Sequence, residues 1–219
     1  MAIRSDAGER FLGESVYQRM RSDLLRGRIA AGARVTELWA AEHYDASRTP
    51  VREACRRLAE EGLLAHRPRY GYRAALLEHD EICDLYEMRR ALEALAVRRA
   101  CAADGPRAPL RELRRAWAGR APAPGEEVLY RDEAFHIGIA RVSGNGAVLA
   151  SLEALNARIR MVRVHDFLDA GRIATTIEEH LAILTAIDSR DDTAACGLMD
   201  LHIVESQRFT TAAAQVSGE

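Results

Sequence analysis

Residues 47–63 constrain the fold of this chain more than any other stretch. Ser47 can cap a helix, because its hydroxyl can accept a hydrogen bond from a free N–H of the first turn. Pro50 falls in that first turn, where its missing N–H costs little. Gly62 ends the helix, since glycine readily adopts the left-handed conformation. Apolar residues recur at helical spacing and form one face: Val51, Ala54, Cys55 and Leu58. The stretch therefore predicts one short amphipathic helix.

The opposite face of this helix is basic. Arg48, Arg52 and Arg56 are spaced four residues apart, so their side chains project from the same side. A short helix that carries guanidinium groups and sits on a narrow apolar face suits the major groove of DNA. The alternative is an ordinary solvated basic face. The segments before and after the helix decide between these two interpretations.

The segment before the helix predicts a helix-turn-helix. Residues 10–28 have an amphipathic helical pattern. Their apolar face is formed by Phe11, Val16, Met20, Leu24 and Leu25. A second short helix is expected at about residues 37–44, starting near Thr36. Asp45 and Ala46 then make a tight turn, because aspartate tolerates the left-handed conformation better than most residues. Two helices joined by such a turn are typical of a DNA-binding unit.

The segment after the helix predicts a β-hairpin. Residues 63–66 and 72–74 read as short extended runs on either side of a turn that contains Pro68 and Gly71. A hairpin in this position is the wing of a winged helix. Its Arg67 and Arg69 would reach phosphates or the minor groove.

These motifs resemble the winged-helix signature of the GntR family of bacterial transcription regulators. The resemblance is carried by residues 47–54, 57–58, 61–63 and 69–71. It implies that Arg48 and Arg52 contact operator DNA and that Gly71 enters the minor groove. Ser47 and Thr49, beside Arg48, and Arg69 of the hairpin complete the predicted set of DNA contacts. The chain departs from the family pattern at Leu38, Ala40 and the turn Asp45–Ala46, which affects the choice of operator sequence more than DNA binding itself.

Length and composition predict a soluble cytoplasmic protein with one large domain or two small ones. The chain has 219 residues, is 48% hydrophobic and has a net charge of −2. No apolar run approaches 18 residues, and residues 1–14 lack the pattern of a signal peptide. The four cysteines are scattered, which indicates reduced thiols. Residues 1–78 carry 14 arginines against 11 acidic residues, a balance that suits a polyanion, whereas residues 79–219 are acidic.

Residues 79–219 predict an all-α bundle of six or seven helices. Apolar residues recur at intervals of three and four in each of the following segments: 80–103, 107–119, 125–142, 146–166, 172–189 and 191–212. Segments rich in glycine, proline or aspartate separate them. The predicted fold is therefore mainly α, with an N-terminal winged helix at 1–78 and a helical domain at 79–219.

The helical half contains a candidate metal site. Asp132 and His136 are four residues apart on one helix, so they share a face. His180 and His202 lie among apolar residues on two later helices. Three imidazoles and a carboxylate suit zinc, nickel or iron(II). From spacing alone, the alternative is that these are ordinary buried histidines.

A second resemblance favours the metal. Several segments are similar to the FCD ligand-binding domain of FadR-type regulators. The matching residues are Leu85, Arg89, Leu92 and Glu93, the pair Asp132–x3–His136, residues 179–191 and His202. The resemblance implies a divalent metal ion held by Asp132, His136, His180 and His202, with zinc the first choice and nickel, iron or manganese as alternatives. It also implies a small organic acid as effector.

Arg89 has two possible roles. It could clamp the effector's carboxylate, as the planar guanidinium allows, or it could be surface charge paired with Glu87 or Glu93. Arg160 and Arg163 are weaker candidates for the pocket. The remaining histidines are expected to be solvated or locally bonded: His43, His66, His79 and His165.

The function predicted from sequence is a homodimeric transcription regulator, acting by default as a repressor. It would bind double-stranded operator DNA and respond to a small carboxylate, without enzymatic activity. Two alternatives remain open. One is a metal-dependent hydrolase or isomerase with an accessory DNA-binding module. The other is a regulator that senses the metal itself.

Overall fold

The computed structural model describes the backbone of residues 6–105, 107–119 and 121–216. Side chains are described over the same ranges except at residues 6–13, 165 and 213–216. The chain divides into two compact units, Met1–Leu76 and Leu77–Glu219. The predicted fold class is confirmed, since a winged helix with a small antiparallel sheet precedes an all-helical part.

The N-terminal unit consists of three helices and three short strands. In chain order they are α1 (Asp6–Leu25), β1 (Arg34–Val35), α2 (Glu37–His43), α3 (Arg48–Glu60), β2 (Leu64–Arg67) and β3 (Gly71–Ala74). The strands form an antiparallel sheet in the order β1-β3-β2. Sequence analysis missed β1, because two residues are too few to show strand periodicity.

The apolar faces of α1 and α3 form the core of this unit. The buried residues on α1 include Val16, Met20, Leu24 and Leu25, and those on α3 are Val51, Ala54, Cys55 and Leu58. Both sets were predicted from helical spacing. Phe11, predicted on the same face of α1, lies outside the described side chains.

The prediction that the Ser47 hydroxyl caps α3 with a hydrogen bond is wrong. Ser47 occupies the N-cap position, with φ −71° and ψ 163°, but its side chain makes no capping bond. Because α3 begins at Arg48, Pro50 occupies the third helical position, and its missing N–H removes one of the two usual partners of a capping hydroxyl. In α2, by contrast, the Trp39 N–H donates to Thr36 Oγ1 at 3.1 Å. Asp45 has φ 50°, the left-handed turn expected there.

The wing is a tight hairpin between β2 and β3. Leu64 pairs with Ala74 and Arg67 pairs with Gly71. The Tyr70 N–H donates to the Arg67 carbonyl at 3.0 Å and closes the turn. Arg69 and Gly71 have φ values of 69° and 89°, so the hairpin depends on two left-handed residues.

The C-terminal unit is a helical bundle. Its elements are α4 (His79–Ala102), α5 (Ala108–Trp117), α6 (Glu126–Val142), α7 (Gly146–Arg163), a 3-10 helix (Val164–Phe167), α8 (Ala170–Asp188) and α9 (Asp192–Val216). Helices α4 and α9 pack together, as do α8 and α9 and the pairs that α4, α6 and α7 form with one another. None of the described helices combines the length and the apolar character that a membrane span requires.

Replacing Gly71 by alanine should destabilise the N-terminal unit by about 1–2 kcal/mol. The positive φ disfavours any residue with a Cβ, and an added Cβ would lie 3.0 Å from the Val35 carbonyl oxygen. Gly27 is a matched control, because it also has a positive φ (70°) but no atom within 4 Å of an added Cβ. Guanidinium unfolding followed by Trp39 fluorescence in a Trp117→Phe background measures both variants. If Gly71→Ala lost less stability than Gly27→Ala, the added Cβ would not be crowded by the Val35 carbonyl of β1.

Candidate functional site

The N-terminal half of α3 presents an exposed basic surface. Arg48 and Arg52 are exposed, and among the described residues no acidic side chain forms an ion pair with either. Ser47 and Thr49 are exposed beside them at the start of the helix. These four residues have the exposure that contact with a DNA groove requires.

Arg56 differs from the other two arginines of its face. Its Nη2 lies 2.7 Å from Glu53 Oε1, and its Nη1 is also paired with Glu60. The three side chains are exposed, so the pairs contribute little to stability, but they neutralise the charge of Arg56 locally. The basic surface of α3 is therefore concentrated in its first two turns.

The wing carries a second exposed basic surface. Arg67 and Arg69 are exposed, and Gly71 lies directly after the turn. Arg34 of β1 donates from Nε to the Tyr70 carbonyl at 3.1 Å, and its guanidinium lies 5.8 Å from the centre of the Tyr70 ring. These contacts support the turn from the neighbouring strand.

In the bundle, the structure brings together all four residues of the predicted metal site. Asp132 and His136 come from α6, His180 comes from α8, and His202 comes from α9. All four are buried, and one potential ligand atom from each lies within 4.8 Å of the others. These are the four positions that sequence analysis selected.

The distances between the potential ligand atoms fit a single ion. The Nε2 atom of His202 lies 3.3 Å from Nε2 of both His136 and His180. Oxygens of Asp132 lie 3.4 Å from His180 Nε2 and 3.6 Å from His136 Nε2. Tetrahedral zinc with bonds of 2.0–2.1 Å would place its ligand atoms about 3.3 Å apart. The spacing therefore fits a four-coordinate or more open site.

Two carboxylates orient the imidazoles. Glu93 Oε1 lies 2.8 Å from His136 Nδ1, and Glu179 Oε2 lies 2.7 Å from His202 Nδ1. With its proton on Nδ1, each of these two rings would offer the lone pair of its Nε2 atom to a cation. Metal-bound histidines commonly have a carboxylate in this position. The arrangement therefore favours a cation between the imidazoles.

Burial sets the protonation states that a metal needs. Burial lowers the pKa of His136 to about 4 and lowers the pKa of His180 below its ordinary value. Burial alone would raise the pKa of Asp132, but the Arg163 guanidinium and the three neighbouring histidines together outweigh it and hold that pKa well below its usual range. Near neutral pH the site therefore offers the neutral imidazoles of His136 and His180 and the ionised carboxylate of Asp132.

Aromatic side chains hold His180 in place. The Phe135 ring stacks on the imidazole with centroids 3.6 Å apart, and the Trp117 ring meets it edge-on at 4.4 Å. Trp117, from α5, was not identified from the sequence, because nothing in its local pattern indicates contact with α8.

Arg89 is buried, so the surface-charge interpretation is wrong for this residue. Its side chain is 0% exposed, and its Nε lies 3.5 Å from Glu93 Oε1. Among the described residues, none of its three guanidinium nitrogens has a hydrogen-bond partner. The adjacent Arg90 is the surface residue, and it pairs with Asp200 at 2.7 Å.

The two weaker arginine candidates differ from each other. Arg163 is fully buried and hydrogen-bonded to Asp132. Arg160 pairs with Glu133 at 2.9 Å. His43, His66 and His79 are exposed and lie outside the metal cluster, and the His165 side chain is outside the described residues.

Together, these features define a class of protein, a winged helix joined to a helical bundle with a candidate metal centre. Residues 12–73 match the family of bacterial regulatory proteins called gntR, and residues 84–205 match the FCD domain. The chain belongs to the gntR family, with an FCD domain as its C-terminal part, and it is a transcriptional regulator.

Individual relatives agree with this assignment. The Nta operon transcriptional regulator of Aminobacter aminovorans is 33% identical over 174 residues, which cover 78% of this chain and 81% of that protein. The HTH-type transcriptional repressor RspR of Escherichia coli K12 is 25% identical over 197 residues, 89% of this chain and 86% of its own.

Solved structures share the fold. E. coli McbR/YncC superposes with a TM-score of 0.62 at 20% identity and covers 95% of this chain and 99% of its own. A GntR regulator from Rhodococcus sp. RHA1 gives a TM-score of 0.61 at 22% identity and covers 94% of this chain and 97% of its own.

The metal-free bundle should lose stability as the pH falls from about 6.5 towards 4. In this range the unfolded chain binds a proton at residue 136, whereas the folded chain, with a pKa of about 4, does not. The full difference between the pKa values of residue 136 in the folded and unfolded chain corresponds to about 3 kcal/mol of unfolding free energy. The slope of the unfolding free energy against pH can be measured by guanidinium unfolding of chelator-treated protein. Trp117 fluorescence in a Trp39→Phe background follows the transition. The slope should shrink in His136→Gln but not in His66→Gln, and equal slopes in all three proteins would contradict the assignment.

Proposed function

We propose that this regulator controls transcription through an operator affinity that depends on a small carboxylate bound at a metal centre in the bundle. The observation that carries the proposal is the convergence of imidazole nitrogens 3.3 Å apart whose opposite nitrogens lie against carboxylates. With a cation, His136 and His202 would be ligands oriented by Glu93 and Glu179.

The proposed metal ligands are Asp132, His136, His180 and His202. Nitrogen and carboxylate ligands at these distances suit zinc first, with nickel, iron or manganese as alternatives. Three imidazoles and one carboxylate leave room for a fifth or sixth ligand on a larger coordination sphere. A carboxylate effector would bind there, and the buried Arg89 would hold it by charge-assisted hydrogen bonds.

The proposed DNA contacts are Ser47, Arg48, Thr49, Arg52, Arg69 and Gly71. Exposure of the arginines without acidic partners, and the family match over residues 12–73, support this assignment. A homodimer would place two recognition helices on the two halves of a palindromic operator. The protein would then act in the cytoplasm, on chromosomal DNA.

The effector would act by binding the DNA-competent and incompetent states with different affinities. A coupling free energy of about 1–3 kcal/mol changes operator affinity by about 5- to 150-fold. Repression relieved by the effector is the proposed direction, in line with the relative RspR, which is named a repressor.

Replacing His180 by alanine should lower the metal content of the purified protein by at least about tenfold, because one ligand of a four-residue site is lost. Metal analysis after dialysis against dilute zinc measures it. His66→Ala is the control, since His66 is exposed in β2. Full metal occupancy in His180→Ala, with the winged helix still binding DNA, would remove His180 from the site.

Replacing Arg52 by alanine should weaken operator binding by about 1–3 kcal/mol if the guanidinium contacts a base. Arg56→Ala is a matched control one helical turn away, because its charge is already paired with Glu53 and Glu60. Fluorescence anisotropy with labelled operator at fixed salt compares the two. Equal losses in both variants would reject a special role for Arg52.

Two experiments separate the alternative functions. A regulator that senses the metal itself would change its operator affinity when zinc is removed and restored without any acid. An enzyme would release product from a panel of small organic acids in the zinc-loaded state. Neither result is expected from the function proposed here.

A further inference from the structure

The three-stranded sheet of the N-terminal unit has two unlike faces. Its register pairs Val35 with Tyr72 and Leu64 with Ala74, and Val35, Leu64 and Ala74 are buried. Because successive side chains of a strand point to opposite faces, the residues between them lie on the other side of the sheet. We call that side the outer sheet face, and its residues are Arg34, Ala65, Arg67, Gly71 and Arg73.

The outer sheet face is strongly basic. Arg34, Arg67 and Arg73 are exposed, and each comes from a different strand. Among the described residues, no acidic side chain forms an ion pair with any of the three. Residues 62–77 contain neither aspartate nor glutamate. The positive charge of this face therefore has no local counter-charge.

Two of these arginines are cross-strand partners. Arg34 on β1 lies directly opposite Arg73 on β3. Such partners have Cβ atoms about 5 Å apart, and like charges in this position destabilise a sheet. Arg67 is a diagonal neighbour of Arg73, because it lies two residues beyond Ala65, the partner of Arg73 on β2. The sheet therefore keeps a repulsion that a bound anion would relieve.

Protection of the sheet edges explains only part of this charge. Charged side chains on an edge strand hinder its pairing with another chain. The edge strands are β1 and β2, so this accounts for Arg34 and Arg67. Arg73 lies on the central strand β3, which is paired on both sides. Its charge therefore needs another explanation.

The outer sheet face is continuous with the tip of the wing. The Nε atom of Arg34 donates to the Tyr70 carbonyl at 3.1 Å, and Gly71 follows directly. Arg69, a proposed DNA contact, lies in the same turn. Duplex DNA carries one phosphate charge for about every 1.7 Å of its axis. A wing that touches DNA at its tip therefore brings the outer sheet face close to further phosphates.

We infer that Arg34 and Arg73 bind phosphates of duplex DNA beyond the segment that α3 contacts, with Arg67 between them and the tip of the wing. This inference rests on the proposed function, because it assumes that the winged helix binds DNA. Contacts to the phosphate backbone carry no sequence information. They add affinity for any duplex, extend the footprint of the protein and relieve the repulsion between Arg34 and Arg73.

The salt dependence of DNA binding tests this inference. Fluorescence anisotropy with a labelled duplex of about 40 base pairs and arbitrary sequence gives the association constant of the full-length protein between about 50 and 200 mM KCl. Each phosphate contact contributes about 0.9 to the slope of its logarithm against the logarithm of the salt concentration. Arg34→Gln/Arg73→Gln should reduce the magnitude of this slope by about 2 for each winged helix on the duplex.

Two further double variants serve as controls. Arg28→Gln/Arg56→Gln removes the same number of charges from the same unit, but both arginines are already paired, Arg28 with Asp23 and Arg56 with glutamates of α3. This variant should keep the wild-type slope. Arg34→Lys/Arg73→Lys should also keep it, because lysine binds phosphate as a point charge.

The repulsion between the two arginines provides a second measurement. At low salt, Arg73→Gln should raise the urea midpoint of the N-terminal unit, because a like-charge pair is removed. The increase should disappear in about 1 M KCl, where the screening length is about 3 Å. Trp39 fluorescence in a Trp117→Phe background follows the transition. If Arg73 only supported the sheet, its replacement would lower the midpoint instead.

Three results would overturn the inference and leave the proposed function intact. They are an unchanged slope in Arg34→Gln/Arg73→Gln, a lowered urea midpoint in Arg73→Gln, and weaker binding of that double variant to a duplex RNA of equal length without any loss on DNA. A wild-type protein that binds neither the arbitrary duplex nor any duplex selected from a random-sequence library would overturn the proposed function, and this inference with it.

Discussion

The centre of the bundle depends on carboxylates that fix the orientation of histidine rings. Glu93 and Glu179 lie against Nδ1 of His136 and His202, and this directs both Nε2 atoms to a common point. A cation at that point would be bound by both rings. Metal binding would therefore contribute directly to the stability of the fold around it, as in other proteins whose site exists only in the folded state.

The same centre links most of the bundle. The potential ligands come from α6, α8 and α9, while Glu93 and the buried Arg89 come from α4. Arg163, at the end of α7, is bonded to Asp132. A buried ion pair is costly to form and costly to break on one side, so a ligand that competes for Asp132 or Arg163 acts on the packing of two helices at once. This is the kind of contact through which binding can favour one conformation over another.

Sequence periodicity predicted the helices well, because each buries one apolar face, and it placed Asp132 and His136 one turn apart. It could not predict how the helices meet. Trp117 and Glu93 contact ligand histidines from other helices, and neither has a local pattern that indicates this. For Arg89 a signal was present in the sequence: it lies one turn after the buried Leu85 and seven residues before the buried Ala96, which places it on the inner face of α4.

The exposed basic surface of α3 has a different physical basis from the candidate metal centre. Helix α3 is held by the buried face that it packs against α1 and α2, and all of this packing lies within the N-terminal unit. The same helix pairs Arg56 with Glu53 and Glu60, so unpaired positive charge is confined to its first two turns. Packing within the N-terminal unit therefore fixes the position of this basic surface. A ligand in the bundle can control operator binding only by binding two states of the protein with different affinities.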